Sequence, residues 1–364
     1  MRWSLNIGKI FGINFKIHIT FFFLLFFIFI SVLQQHGLSN ALLAALFICA
    51  VFACVLIHEL GHSLVARRFG KQAKSIILLP IGGVAAMEEM PEKPAQEIIM
   101  AVIGPFINLA IALLLYLLVG SWTGVGVPDL YPDSLKTFLA GLIGVNIMLA
   151  VFNLVPAFPM DGGRVLRAIL AMKLDYVKAT SVAVFIGQAV AMFLIFFGIF
   201  FNFWLTLIGL FLYIGAGSER QHVILRSFLH QVPVSEAMTT EFQSLRADEP
   251  VSRALEHFYH GSQEDFPVMG DYGIEGILTR DRILASIHEK GLDVPVSDIM
   301  DRSFASVGPQ TPLDEAYKKL LSDRKTAMAV VDAGQVKGMV SLDGISRFFI
   351  IKTALKAVDK KEDG

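Results

Sequence analysis

Charge is scarce in this sequence, and cysteine is scarcer. Of 364 residues only 17% are Asp, Glu, Lys or Arg, and 31 basic against 32 acidic side chains leave a formal charge of -1. A balance that close to neutral suggests neither a nucleic-acid partner nor an acidic substrate. The two cysteines, Cys49 and Cys54, both fall inside an apolar run, five residues apart. With no further cysteine to complete a soft-metal set, they read as small packing residues, neither a structural disulfide nor a clue to compartment. No cleavable signal is expected. Arg2, Lys9 and Lys16 precede the apolar run Ile17–Val32, but no small-residue cleavage site follows it and further apolar runs do, so the run reads as a first membrane anchor.

What the chain does have is hydrophobicity. Hydrophobic residues make up 54%, mean hydropathy is +0.61, and many of the thirty phenylalanines crowd Phe21–Phe27 and Phe193–Phe203. Soluble globular chains rarely reach these values; multi-pass membrane proteins do. Six apolar segments stand out at about Ile17–Val32, Ala41–Ile57, Ile98–Val119, Leu135–Phe152, Val182–Phe200 and Phe203–Ala216. A helix needs about 20 apolar residues to cross the hydrocarbon core, and helices satisfy their own backbone there. The spacing therefore predicts an α-helical polytopic membrane domain of about six transmembrane helices over residues 1–220. Lys and Arg concentrate before the first segment, between the second and third, between the fourth and fifth (Arg164, Arg167, Lys173, Lys178) and after the sixth. An excess of basic residues marks cytoplasmic loops, so both termini are expected in the cytoplasm. Between the second and third segments, Ser75–Met90 is β-branched and broken by Gly82-Gly83, which predicts a short hairpin or re-entrant strand at the membrane edge.

After about residue 220 charges become frequent and long apolar runs stop. A repeat of roughly sixty residues follows. Val234-Ser235-Glu236-Ala237-Met238 returns as Val296-Ser297-Asp298-Ile299-Met300, Phe266-Pro267-Val268-Met269 as Met328-Ala329-Val330-Val331, and Gly276-Ile277-Leu278-Thr279 as Gly338-Met339-Val340-Ser341. Each copy predicts the order strand, helix, strand, strand, helix: a soluble α/β pair over 230–352, with copies at about 230–290 and 295–352, and a charged tail over 353–364.

The chemistry-bearing residues lie at the end of the second segment, in Ile57-His58-Glu59-Leu60-Gly61-His62. Residues at i and i+4 share a helix face, so His58 and His62 can grip one zinc ion, with Glu59 placed as general base. Ionisable groups inside an apolar span are costly and usually functional. Catalytic zinc wants a third protein ligand and an open position. The candidate is Asp161, in Asn153-Leu154-Val155-Pro156-Ala157-Phe158-Pro159-Met160-Asp161-Gly162-Gly163, where prolines break the helix and glycines allow close approach. The bland alternative has Asp161 capping a helix over 162–172. Asn108, buried after Gly104-Pro105, must be paired, either to a neighbouring backbone or within the site.

The motifs His58-Glu59-Leu60-Gly61-His62, Gly104-Pro105-Phe106-Ile107-Asn108 and Asn153–Gly163 resemble the core of the site-2 proteases, zinc metalloproteases that cut within membranes, over residues 1–215. No PDZ domain interrupts the chain, and Met160 stands where the family usually has leucine. The resemblance implies zinc held by His58, His62 and Asp161, Glu59 as base, and Asn153 as a polar group steadying the reacting carbonyl. It implies membrane-associated protein substrates such as an anti-sigma or pro-sigma factor. The repeat over 230–352 resembles a tandem pair of CBS domains, which often bind adenine nucleotides and pair into homo-oligomers. The aspartate of the nucleotide-binding pattern is replaced here by Arg282 and Gly344, with Asp281 and Asp343 one position early, so nucleotide binding and a structural or dimerising role both stay open. A CBS-regulated transporter or channel is the alternative reading of the whole chain.

Overall fold

The computed structural model describes residues 3–71, 73–80, 82–87, 93–125, 132–261, 263–271 and 273–362. It falls into two compact units, Met1–Gln221 and His222–Gly364.

The first unit opens with strands β1 (Ser4–Ile10) and β2 (Ile13–His18), followed by the 50-residue helix α1 (Ile19–Arg68). The His18 ring caps α1 by accepting from the Thr20 amide. Gly37, at φ 81°, interrupts helical geometry. The first two apolar segments thus lie on either side of one break in a single helical run. Strands β3 (Ala73–Leu79) and β4 (Gly82–Met87) follow as an antiparallel hairpin. The first four strands form one sheet in the order β1-β2-β3-β4, with β2 and β3 parallel across α1. The hairpin expected over Ser75–Met90 is therefore two strands of a larger sheet; 88–90 lie outside the described residues. Its partner hairpin, β1–β2, is not anticipated by the sequence, which marks these residues as a basic flank and, from Ile17, as the start of the first apolar segment; the helix begins at Ile19 instead. Because β3 is paired on both sides, β4 is the edge strand on that side of the sheet.

Helices α2 (Pro94–Thr123), α3 (Leu135–Asn153), α4 (Asp161–Ala171), α5 (Tyr176–Phe201) and α6 (Phe203–His230) complete the unit, the boundary falling within α6. Among the described residues four helices are long and apolar enough to cross a membrane: α1, α2 over Pro94–Gly120, α3 and α5. The segment Phe203–Ala216 forms the first half of α6. Packing follows membrane logic. Lipid is as apolar as leucine, so helices gain by close approach of small residues. Ala41, Ala44, Ala66, Ala150, Ala183 and Ala191 are fully buried, while Phe26, Phe27, Phe196, Phe200 and Phe201 are exposed.

The second unit holds the repeat. The first copy is α7 (Val234–Ala237), β5 (Leu245–Arg246), α8 (Val251–His260), β6 (Phe266–Gly270), β7 (Gly273–Leu278) and α9 (Arg280–Glu289). The second is a 3-10 turn over Val296–Asp298, then β8 (Ser306–Val307), α10 (Leu313–Asp323), β9 (Ala327–Asp332), β10 (Gln335–Ser341) and α11 (Leu342–Glu362). The strand, helix, strand, strand, helix order is present in both, as two three-stranded sheets. The segments that open the copies are exchanged. Val234 is buried with Leu313, Met328 and Val340 of the second copy, and Val296 with Leu245, Phe266 and Leu278 of the first. Backbone pairs repeat the exchange: Thr239 with Met339, and Asp301 with Ile277. Neither copy closes its core without the other. Helix α11 continues through the charged segment to Glu362.

Candidate metal centre

Helix α1 carries His58 and His62 one turn apart, both buried. Their Nε2 atoms stand 3.1 Å apart, with Asp161 Oδ2 3.4 Å from the first and 3.2 Å from the second. One ligand atom from each of the three residues lies within 4.8 Å of the other two, a donor set of two imidazoles and a carboxylate that suits zinc.

Three local features produce this convergence. Asp161 is the first residue of α4 and Met160 is its N-cap, so the carboxylate is turned toward the imidazoles, not used as the cap. A Cβ on Gly162 would fall 2.3 Å from the Leu154 and Val155 carbonyl oxygens, and one on Gly163 2.6 Å from the Phe158 amide nitrogen. Any side chain there would push α4 away from the turn that delivers Asp161. A Cβ on Gly104 of α2 would meet His62 Nε2 at 2.3 Å and His58 Nε2 at 2.5 Å, so this glycine leaves the hollow in which the two rings meet.

The far nitrogens of both rings are held. His58 Nδ1 lies 2.5 Å from Asn108 Oδ1, and His62 Nδ1 lies 2.6 Å from the Met100 carbonyl oxygen. Oxygen acceptors at Nδ1 place the ring proton there and leave the Nε2 lone pair facing Asp161. Asn108 is therefore paired within the site. Its Nδ2 donates to Asn146 Oδ1 at 3.1 Å, and Asn146 Nδ2 donates to the Leu142 carbonyl and toward Cys54 Sγ. Cys54 thus packs and also ends a buried polar chain; Cys49 is exposed. Asn146 was missed in the sequence. The available signal was an amide in mid-span, which must find a partner. Glu59 is half-buried beside the edge strand: a Cβ on Gly83 would meet its Cγ at 2.6 Å. Asn153 is the last residue of α3 and half-buried.

A second polar group lies beyond Asp161 on α4. Arg167 is fully buried, with Nε 2.7 Å from Glu97 Oε1 of α2 and Nη1 2.6 Å from Glu219 Oε1 of α6. The distribution of basic residues places Arg167 in a cytoplasmic loop between the fourth and fifth apolar segments. Here it is neutralised by carboxylates 70 and 52 residues away.

In the second unit a cleft of about 240 Å³ is lined by Thr279, Asp281, Asp301, Arg324, Lys325 and Thr326. Arg282, at the position of the missing aspartate, donates from Nη1 to the Ile299 and Met300 carbonyls, and Lys325 pairs with Asp301.

The profile of peptidase family M50 matches residues 46–130 and 128–194, and the CBS domain profile matches 234–289 and 296–350. A zinc metalloprotease of Methanocaldococcus jannaschii is 32% identical over all of this chain and 99% of its own length. Stage IV sporulation protein FB of Bacillus subtilis is 30% identical over 42% of this chain and 49% of its own. The solved site-2 protease from Methanocaldococcus jannaschii is 37% identical over 60% of this chain and 95% of that one, with a TM-score of 0.45. A full-length relative above 30% identity, together with both profiles, means that the chain belongs to peptidase family M50, the site-2 protease family of intramembrane zinc metalloproteases, and carries a tandem CBS pair behind its membrane unit.

Proposed function

We propose that His58, His62 and Asp161 hold the zinc ion and that Glu59 is the general base for cleavage of membrane-associated protein substrates. The observation that carries this reading is the convergence of the three ligand atoms within 4.8 Å, with both imidazoles oriented from behind. Zinc held there supplies Lewis acidity toward a peptide carbonyl and lowers the pKa of water to about 7. Glu59 takes the proton of the attacking water on its carboxylate and passes it to the leaving amide nitrogen. The Asn153 amide steadies the carbonyl oxygen as it gains charge.

A helical substrate hides its carbonyls, so the scissile stretch must be extended. The edge strand β4 runs past Glu59 at Gly83 and, among the described residues, has one unpaired side in its sheet. An extended stretch adding to that edge would lie beside the base, with its backbone amides satisfied by the strand. Anti-sigma and pro-sigma factors are the substrate class assigned by family resemblance. Both termini and the CBS pair are assigned to the cytoplasm from the placement of Lys and Arg. An adenine nucleotide is assigned to the cleft of the CBS pair, where Arg324 offers a cation and Thr279 and Thr326 hydroxyls. Three donors gathered at one depth support proteolysis over the transport alternative, which would need sites spread along a path.

The deciding experiment is Glu59→Gln in the reconstituted protein. Zinc should stay bound while cleavage of a membrane substrate is abolished; undiminished turnover rejects Glu59 as the base.

A further inference from the structure

Arg167 lies six residues beyond Asp161 on the same helix, a rise of about 9 Å. Side chains of α2, of the turn before α4, of α5 and of α6 meet its guanidinium. Glu97 of α2 and Glu219 of α6 pair with it at 2.7 and 2.6 Å. The ring of Phe158, in the turn that delivers Asp161, and the ring of Tyr176, at the start of α5, each lie 5.0 Å from its central carbon. Arg167 has no exposure and Glu97 is 1% exposed.

Burying ions is expensive, and apolar packing of the same volume usually serves stability as well or better. What a forked cation between two carboxylates adds is registry: it accepts one placement of its partners and rejects others. Helix α2 shows what is being registered. Glu97, Met100, Gly104 and Asn108 recur on one face at helical spacing. The first meets Arg167, the second accepts from His62, the third leaves room for both rings, and the fourth accepts from His58. One face of α2 therefore positions both imidazoles and, through Glu97, the helix that carries the carboxylate.

We propose that Arg167, clamped between Glu97 and Glu219, is a positioning residue for the metal centre, setting α4 against α2 so that the Asp161 carboxylate meets the two Nε2 atoms. The inference rests on the reading of Asp161 as a zinc ligand. It predicts that Arg167 acts on zinc through Asp161 and not through the histidines.

The test is a double-mutant cycle on the purified full-length protein in lipid nanodiscs, with zinc affinity read by competition against a chelator. Arg167→Lys keeps the charge and loses the fork. It should weaken zinc binding about 10–100-fold with Asp161 present, and by less than about twofold in the Asp161→Ala background. An equal loss in both backgrounds, or none with Asp161 present, overturns the proposal. If Asp161→Ala alone leaves affinity unchanged, Asp161 is not a ligand and the proposal falls with that reading. Should Arg167→Lys fail to fold, the isosteric Glu97→Gln is measured in the same two backgrounds, with the same contrast expected and the same outcomes overturning it.

Discussion

Asn108 Oδ1 stands 2.5 Å from His58 Nδ1, on helices that meet fifty residues apart in the chain. The amide does for this histidine what the Met100 carbonyl does for its neighbour. It decides which ring nitrogen carries the proton and therefore which is free to bind metal.

Removing that acceptor tests the relationship. Asn108→Leu leaves the His58 Nδ1–H buried without a partner, so the ring can turn or change tautomer. Zinc affinity should drop about 10–100-fold, measured by zinc retained after dialysis against a graded chelator. Asn108→Asp keeps an oxygen acceptor and should retain more zinc than the leucine variant.

Gly104→Ala tests the hollow between the rings. The new methyl would fall 2.3 Å from His62 Nε2 and 2.5 Å from His58 Nε2, and neither ring is a flexible chain end, since both are held at Nδ1. Alanine favours helix over glycine by about 1 kcal/mol, so α2 should survive. The expected outcome is a protein with unchanged far-ultraviolet circular dichroism that retains far less than one zinc per chain.

The second unit contains a titrating carboxylate. Burial pushes the Asp265 carboxyl up to about 6, against hydrogen bonds from the Arg280 amide and the Thr326 hydroxyl, with Glu264 and Asp281 adding repulsion. A raised folded-state value means the folded form binds the proton more tightly than the unfolded chain. The stabilisation is full below the unfolded value of about 4 and is lost as pH rises through about 6. Asp265→Asn should therefore gain thermal stability relative to the parent as pH increases, the gap opening between about pH 4 and pH 7. Parallel unfolding curves across that range would show that Asp265 does not titrate there.

Gly338→Val probes the exchanged segments of the repeat. A Cβ at 338 would lie 2.8 Å from the Thr239 carbonyl oxygen and 3.1 Å from Met238 Sδ, where the first copy's leading segment crosses to the second. Overpacking of this kind costs about 1–3 kcal/mol. The thermal midpoint of the second unit should drop while the zinc content of the first is unchanged.

Much of this organisation was legible locally. The four-residue spacing of His58 and His62 is a property of any helix, so a shared face follows from sequence alone. The broken stretch ahead of Asp161 and its paired glycines signalled a close approach of backbone. The sixty-residue repeat revealed its element order, because strand and helix patterns recur in step in both copies. Long-range pairings were hidden. Nothing near Arg167 distinguishes it from Arg164 or Lys173, because what buries it is Glu97, 70 residues away. Strands β1 and β2 were hidden for a similar reason: their seven and six residues gain meaning only when β3 arrives in parallel register beyond a 50-residue helix.

By itself, then, the sequence determined which groups this protein has for chemistry, which segments are apolar enough for a membrane, and that its last third is a duplicated α/β unit. Those are matters of residue type and short-range periodicity, and the helix supplies its own ruler. Tertiary structure decided how the groups face one another: Asp161 turned toward two Nε2 atoms, each imidazole oriented from α2, an edge strand laid past Glu59, and a buried arginine joining α2, α4 and α6. Such relationships depend on which distant surfaces fit together, and packing of that kind is settled by the whole chain at once.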